Sequence, residues 1–281
     1  MPSLLTTASW TLHIAIAAAV QLSALSVYVP GDLTAFEDAI EVEEQNWASL
    51  EGEFSEALDA LVEKHTQATM GGRNAEEVTA LTLSGNYTLD GQSYPFVVKK
   101  MRPHYFRLEL STPNGLMVQG FDGSRGWLLP AGFDAENAEW MAPGPSKTMQ
   151  RDAIMFNYLV EREREPVQLS LAGSSDTKPG DLIGIQAQLP DGGLIRYWLN
   201  PETALIEREV KTDFSGNDVK ITTAELSDFR NIDGLQIAHY VKHFRTGEPE
   251  SELRVESVEI VESFPPEIFS PAIDKPGNES D

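Results

Sequence analysis

The chain has 281 residues, 41% of them apolar, enough for one large domain or two small ones. Its 44 acidic against 21 basic residues leave a formal charge of −23, which repels nucleic-acid phosphates and anionic headgroups and speaks against binding either. There is no cysteine, so disulfides, thiol catalysis, thiolate metal sites and the acylated cysteine of a lipoprotein are all excluded.

Leu12 to Val29 is mostly apolar, broken only by His13, Gln21, Ser23 and Ser26. Residues 1–29 therefore read as a secretory signal peptide or an uncleaved amino-terminal anchor, with a buried helix as the third reading. Small residues at Ser23, Ala24 and Ser26 offer cleavage sites, although no basic residue precedes the run. The first two readings both place the rest of the chain outside the cytoplasm.

From Thr34 the pattern turns helical. Thr34 and Glu37 have the spacing of a capping box. Phe36, Ile40, Trp47, Leu50, Phe54, Leu58, Leu61 and His65 then recur at three- and four-residue steps, with Gly52 as a candidate break and Gly71-Gly72 as the stop.

After Gly72 the period changes to two. Leu81, Leu83, Tyr87 and Leu89 face one way, and Thr82, Ser84, Asn86 and Thr88 the other. Asp90-Gly91 turns the chain into a strand over Tyr94 to Met101. Further strands are expected over Tyr105 to Leu110, Leu116 to Phe121 and Gly126 to Leu129, with Asp122-Gly123 as a turn.

A proline-rich loop leads to a short helix, with Ser146 as a candidate cap and Met149, Ala153, Phe156 and Val160 as its apolar stripe. Seven more strands are expected between Val167 and Ile260, with Asp191-Gly192-Gly193 as a hairpin turn. The apolar phase slips between Leu253/Val255 and Val258/Ile260, which reads as a β-bulge. The tail, residues 271–281, has little to bury and is expected to be disordered. About a dozen strands in a row must curl into a barrel, a sandwich or a bent open sheet, because strands twist.

Lys100-Met101-Arg102-Pro103-His104-Tyr105-Phe106, then Gly120-Phe121-Asp122-Gly123, then Gly126-Trp127, resemble the lipoprotein-carrier (LolA-like) family and its lipoprotein-sorting relatives. Met70-Gly71-Gly72-Arg73, Tyr197-Trp198-Leu199-Asn200-Pro201-Glu202-Thr203 and the closing run from Phe264 to Pro271 are similar to the sorting relatives as well. The likeness runs from about Ala57 to Pro271.

The resemblance implies one domain over residues 30–270, mainly β with helices: a curved antiparallel sheet forming an unclosed half-barrel, with its apolar hollow lidded by helices. It also implies a periplasmic carrier of acyl chains, in which Arg102 matches the arginine that holds the lid by hydrogen bonds. The candidate ligand-lining or gating residues are Arg102, Phe121, Trp127, Leu83, Tyr87 and Phe106.

Little else points to chemistry. His239 and His243 sit four apart in what reads as a strand, where that spacing spans about 13 Å and cannot serve one zinc ion. No nucleophile elbow, phosphate-binding loop or dinucleotide fingerprint occurs. The expectation is a non-enzymatic, monomeric, periplasmic binder of lipid or lipoprotein acyl chains, working without cofactor or nucleic acid and meeting membrane-protein complexes of the envelope. The rival is an envelope interaction or stress-sensing module that holds a protein partner. A ligand site predicts a deep apolar hollow, whereas a partner module predicts a filled interior and a flat apolar surface patch.

Overall fold

In the computed structural model, residues 40–174, 182–215, 218–245 and 248–272 are described; the signal or anchor segment, the capping box at Thr34 and the last nine residues lie outside them. Helix α1 spans Ile40–Met70 and runs through Gly52 without a break. It stops where expected, at Gly71 and Gly72, whose φ angles of 58° and 86° suit glycine.

Six strands follow: β1 (Ala80–Leu89), β2 (Gln92–Met101), β3 (Tyr105–Thr112), β4 (Gly115–Asp122), β5 (Gly126–Leu129) and the two-residue β6 (Glu139–Trp140). Helix α2 covers Pro143–Asp152. Seven strands complete the sheet: β7 (Gln168–Ser174), β8 (Ile183–Gln188), β9 (Leu194–Leu199), β10 (Ile206–Ser215), β11 (Asp218–Ile232), β12 (Leu235–Arg245) and β13 (Ser251–Val261). The two-residue β6 is the one strand that the sequence pattern misses.

All thirteen form one sheet in the order β6-β5-β4-β3-β2-β1-β13-β12-β11-β10-β9-β8-β7. It is two antiparallel meanders, joined where the first strand pairs with the last. Strands β6 and β7 are its two margins, so it does not close. The seam between β1 and β13 holds the bulge read from the sequence: Ser84 faces Ser257 while Gly85 faces Val255, leaving Glu256 over. Gly85 is needed there, because a Cβ would stand 1.9 Å from the Arg254 carbonyl oxygen.

The sheet is strongly curved. Between β2 and β10 lie five strand steps, roughly 24 Å in a flat sheet. Yet Lys100 of β2 bonds the Ile154 carbonyl oxygen while Lys211 of β10 bonds Asp152, two residues away. Helix α2 and the turns after it thus bridge opposite flanks of the concave face. Arg151 reinforces the bridge, pairing with Asp213 on β10 and, at 2.7 Å, with Asp191 in the turn between β8 and β9.

Two apolar clusters fill the concave side. The larger joins β1 to β4 and β11 to β13 with Met141, Met149, Ala153, Met155 and Val160; the smaller joins Val62 of α1 to Tyr158, Leu159 and strands β8 to β10. The short helix differs from expectation. It ends at Asp152, its cap residue is Ala142, and Ser146 lies inside it, accepting from the Gly126 amide. Phe156 and Val160 fall in turns beyond it: the Asn157 side-chain oxygen takes the Leu159 and Val160 amides and its carbonyl takes the Glu161 amide, so a separate turn starts there. His239 and His243 both lie on the strand β12.

Candidate functional site

Alternation along the strands decides what faces the hollow. Leu83 pairs with Val98, Tyr87 with Tyr94 and Leu253, and Phe106 with Phe121. Directly opposed residues share a face, so Leu83, Tyr87, Phe106 and Phe121 belong to one wall. All four are buried in the larger cluster.

Trp127 is set apart from them. It pairs with Gly120, which pairs with Arg107, and this row lies on the face opposite Phe106 and Phe121. Its ring lies against Gly120, with the Arg107 guanidinium 5.6 Å from the ring centroid. The indole N–H donates to the Phe269 carbonyl oxygen at 2.6 Å. Trp127 therefore holds the carboxy-terminal segment on the convex side.

The wall is covered. Residues 153–165 run as a strap of turns across the hollow, and Met149 and Met155 press down from α2 and the strap. With Met70, Met117 and Met141 they put five of the seven methionines in one cluster. Among the described residues the deep open hollow expected of a ligand site is thus not found: the protein's own side chains, five methionines among them, fill the concave side as expected of a partner module, and a ligand can enter only by displacing them.

Polar contacts hold the strap and the residues flanking it, element by element. Lys211 Nζ donates to Asp152 at 3.1 Å, and Lys100 Nζ to the Ile154 carbonyl. Asn157 Nδ2 donates to His65 Nε2 of α1 at 3.0 Å, and the Tyr158 amide to the Tyr197 hydroxyl at 2.9 Å. His104 Nε2 lies 2.7 Å from Glu165. Arg102, beside the cis peptide to Pro103, makes the most bonds. Its guanidinium donates to both Glu161 carboxylate oxygens and to the carbonyls of Ala75 and Val78, which lie between α1 and β1.

Lys100, His65 and His104 are shifted from their ordinary values. Desolvation pushes the Lys100 ammonium down to about 8, partly opposed by the charge of Asp152. It also lowers His65, against bonds to Ala204 and Asn157. His104 is raised, chiefly by its hydrogen bond to Glu165.

The resemblance supplied Arg102, but not its main partner Glu161, nor Asp152 and Lys211; Lys100 entered only as part of the motif and His65 only as a position of the α1 stripe. Lys100 carries one readable signal: it occupies an inward position of the alternation Phe96, Val98, Lys100. The partners from the strap carry none, since no periodicity marks turns.

No helix among the described residues is long and apolar enough to cross a membrane. No metal-binding cluster of three or more acidic, histidine or cysteine side chains occurs among them. No family model and no curated protein sequence matches the chain.

Solved structures do resemble it. A LolA superfamily protein from Nitrosomonas europaea superposes with a TM-score of 0.54 at 12% identity, covering 76% of this chain and 97% of its own. A domain described as outer membrane lipoprotein-sorting, from Vibrio parahaemolyticus, gives 0.53 at 11% over 76% and 96%. A DUF1329 family protein from Desulfovibrio piger gives 0.51 at 12% over 76% and 96%. At such low identity the likeness concerns architecture alone: the chain shares the fold of these three domains, an unclosed antiparallel sheet with helices.

Proposed function

We propose that the protein is a non-enzymatic binder or carrier of lipid or lipoprotein acyl chains, acting in the periplasm as a monomer. The observation that carries this reading is the contrast between the two layers of the lid. Its underside is apolar and rich in methionine, while the bonds that hold it to the rest of the protein are polar. Unbranched thioether side chains can give way to alkyl chains at little cost in packing. Polar bonds can be exchanged for water when the strap lifts, each for about 0.5–1.5 kcal/mol between neutral groups and about 1.5–3 kcal/mol where a charged group takes part.

The energies are of matching size. A dozen methylenes moved from water to the wall of Leu83, Tyr87, Phe106 and Phe121 stabilise the complex by about 10 kcal/mol gross. Breaking the six polar attachments and displacing the methionines offsets part of that gain, which a carrier needs in order to release its cargo. Arg102 is the gate in this scheme. The lipoprotein-sorting description of one structural neighbour points the same way.

Native mass spectrometry of the protein, purified after expression with export to the envelope, tests the proposal. The expected result is added mass that organic extraction identifies as acyl lipid. A ligand-free protein that also fails to bind a fluorescent fatty acid would favour the protein-partner reading instead.

A further inference from the structure

Gln119 is a polar residue in the wrong place for a simple apolar core. It stands on β4 between Met117 and Phe121, opposite Leu108 on β3 and Leu128 on β5, so its side chain points to the concave face. It is 0% exposed, yet neither its amide nitrogen nor its amide oxygen has a hydrogen-bond partner. A buried carboxamide left unpaired at both ends is unfavourable, and a leucine would fill the position without that cost. Its neighbours Met117, Phe121 and Leu108 are all in the cluster that forms the acyl-binding wall.

We infer that Gln119 is the polar recognition point of the acyl site and that the cargo is an N-acyl amide rather than a plain hydrocarbon chain. The argument is complementarity. A carboxamide offers one acceptor and two donor hydrogens. An N-acyl group offers the matching carbonyl and N–H, whereas an ester can meet only the Nε2 donor and an alkane meets neither. A site with buried polar groups discriminates strongly against ligands that leave them unpaired. In the closed state the amide stays unpaired, which biases the lid toward opening for a ligand of the right chemistry.

This inference rests on the acyl-binding reading, and the test separates the two. Lauroyl ethanolamide, methyl laurate and dodecane are compared as displacers of N-phenyl-1-naphthylamine from the full chain and from Gln119→Leu. The expected order for the wild type is amide, then ester, then alkane. Gln119→Leu should lose about tenfold in amide affinity, equivalent to one or two net hydrogen bonds, keep its alkane affinity and melt at a higher temperature. Gln119→Met, of similar length, serves if the leucine variant does not fold.

Equal affinities for the three probes in the wild type, or an unchanged amide preference in the variant, overturn the role of Gln119 and leave acyl binding standing. Failure of all three probes to displace the dye overturns the acyl-binding reading and this inference with it.

Discussion

Arg102 and Glu161 meet as a two-pronged ion pair, with guanidinium nitrogens 2.6 Å and 3.0 Å from the two carboxylate oxygens. The Glu161 side chain is 2% exposed and that of Arg102 18%, so the pair joins a strand end to the strap in a largely dry setting. Its geometry is the fork-to-fork arrangement that makes arginine–carboxylate pairs strong.

Arg102→Leu should therefore loosen the strap while the sheet stays intact. The cost is expected at about 2–3 kcal/mol, below the usual range for a buried pair because Arg102 is partly exposed and Arg164 remains beside Glu161. Weakening the closed state favours the liganded one, so transfer of a pyrene-labelled fatty acid to acceptor vesicles should slow. An unchanged transfer rate would remove the gating role. The double variant Arg102→Leu/Glu161→Leu should regain part of the lost stability, since neither charge is then stranded.

Lys100 makes stability depend on alkaline pH. Its ammonium has an ordinary value of 10.5 in the unfolded chain and about 8 in the fold. Between those values the unfolded chain binds the extra proton, so stability rises with pH, by up to about 3 kcal/mol across the window. Chemical denaturation at pH 7.5 and at pH 10.5 should show that gain in the wild type, and Lys100→Met should lack it. Equal pH responses would mean that Lys100 is not held in a desolvated site.

His65 acts in the acid range, with the same direction of loss. Asn157 spends its side-chain oxygen on the Leu159 and Val160 amides, so it presents its N–H groups to His65 Nε2, which must accept. Nδ1 then donates to the Ala204 carbonyl at 2.8 Å, and the ring is neutral. Its value lies below the ordinary 6.5, so its contribution is complete above 6.5 and is lost as pH falls through the folded value. His104 is raised instead, so its contribution is complete below 6.5 and fades as pH rises through the folded value. In a His104→Gln background the melting temperature should drop from pH 7 to pH 5. The same drop in a further His65→Gln variant would show that His65 is not its cause.

Trp127→Phe should separate stability from binding. It removes the N–H donor to Phe269 and leaves that carbonyl unpaired, a loss of about 1–2 kcal/mol seen as a lower melting temperature. Because Trp127 lies on the convex face, displacement of N-phenyl-1-naphthylamine by fatty acid should not change. A reduced affinity would place the ring in the ligand path after all.

The two-residue period of β1 and the glycine-rich turns were legible without coordinates, and so was the slipped phase of β13. Each depends on neighbours in the chain: alternation reflects the pleat, and Asp90-Gly91 supplies positive φ angles, 51° and 71°, wherever it occurs. The end of α1 was legible for the same reason. The end of α2 was not, since Ala153, Phe156 and Val160 keep a helical spacing past Asp152, where the chain instead breaks into turns, one of them started by Asn157.

What only the tertiary structure decided is which distant residues share the hollow. Lys100 and Lys211 stand 111 positions apart, yet they flank the same two-residue step of the strap because the sheet curls between β2 and β10. Trp127 and Phe121 are six residues apart and part of one motif, yet the hairpin from β4 to β5 puts them on opposite faces. Periodicity assigns a residue to a face of its own strand; which face becomes concave, and what covers it, follows from twist and packing summed over the whole sheet.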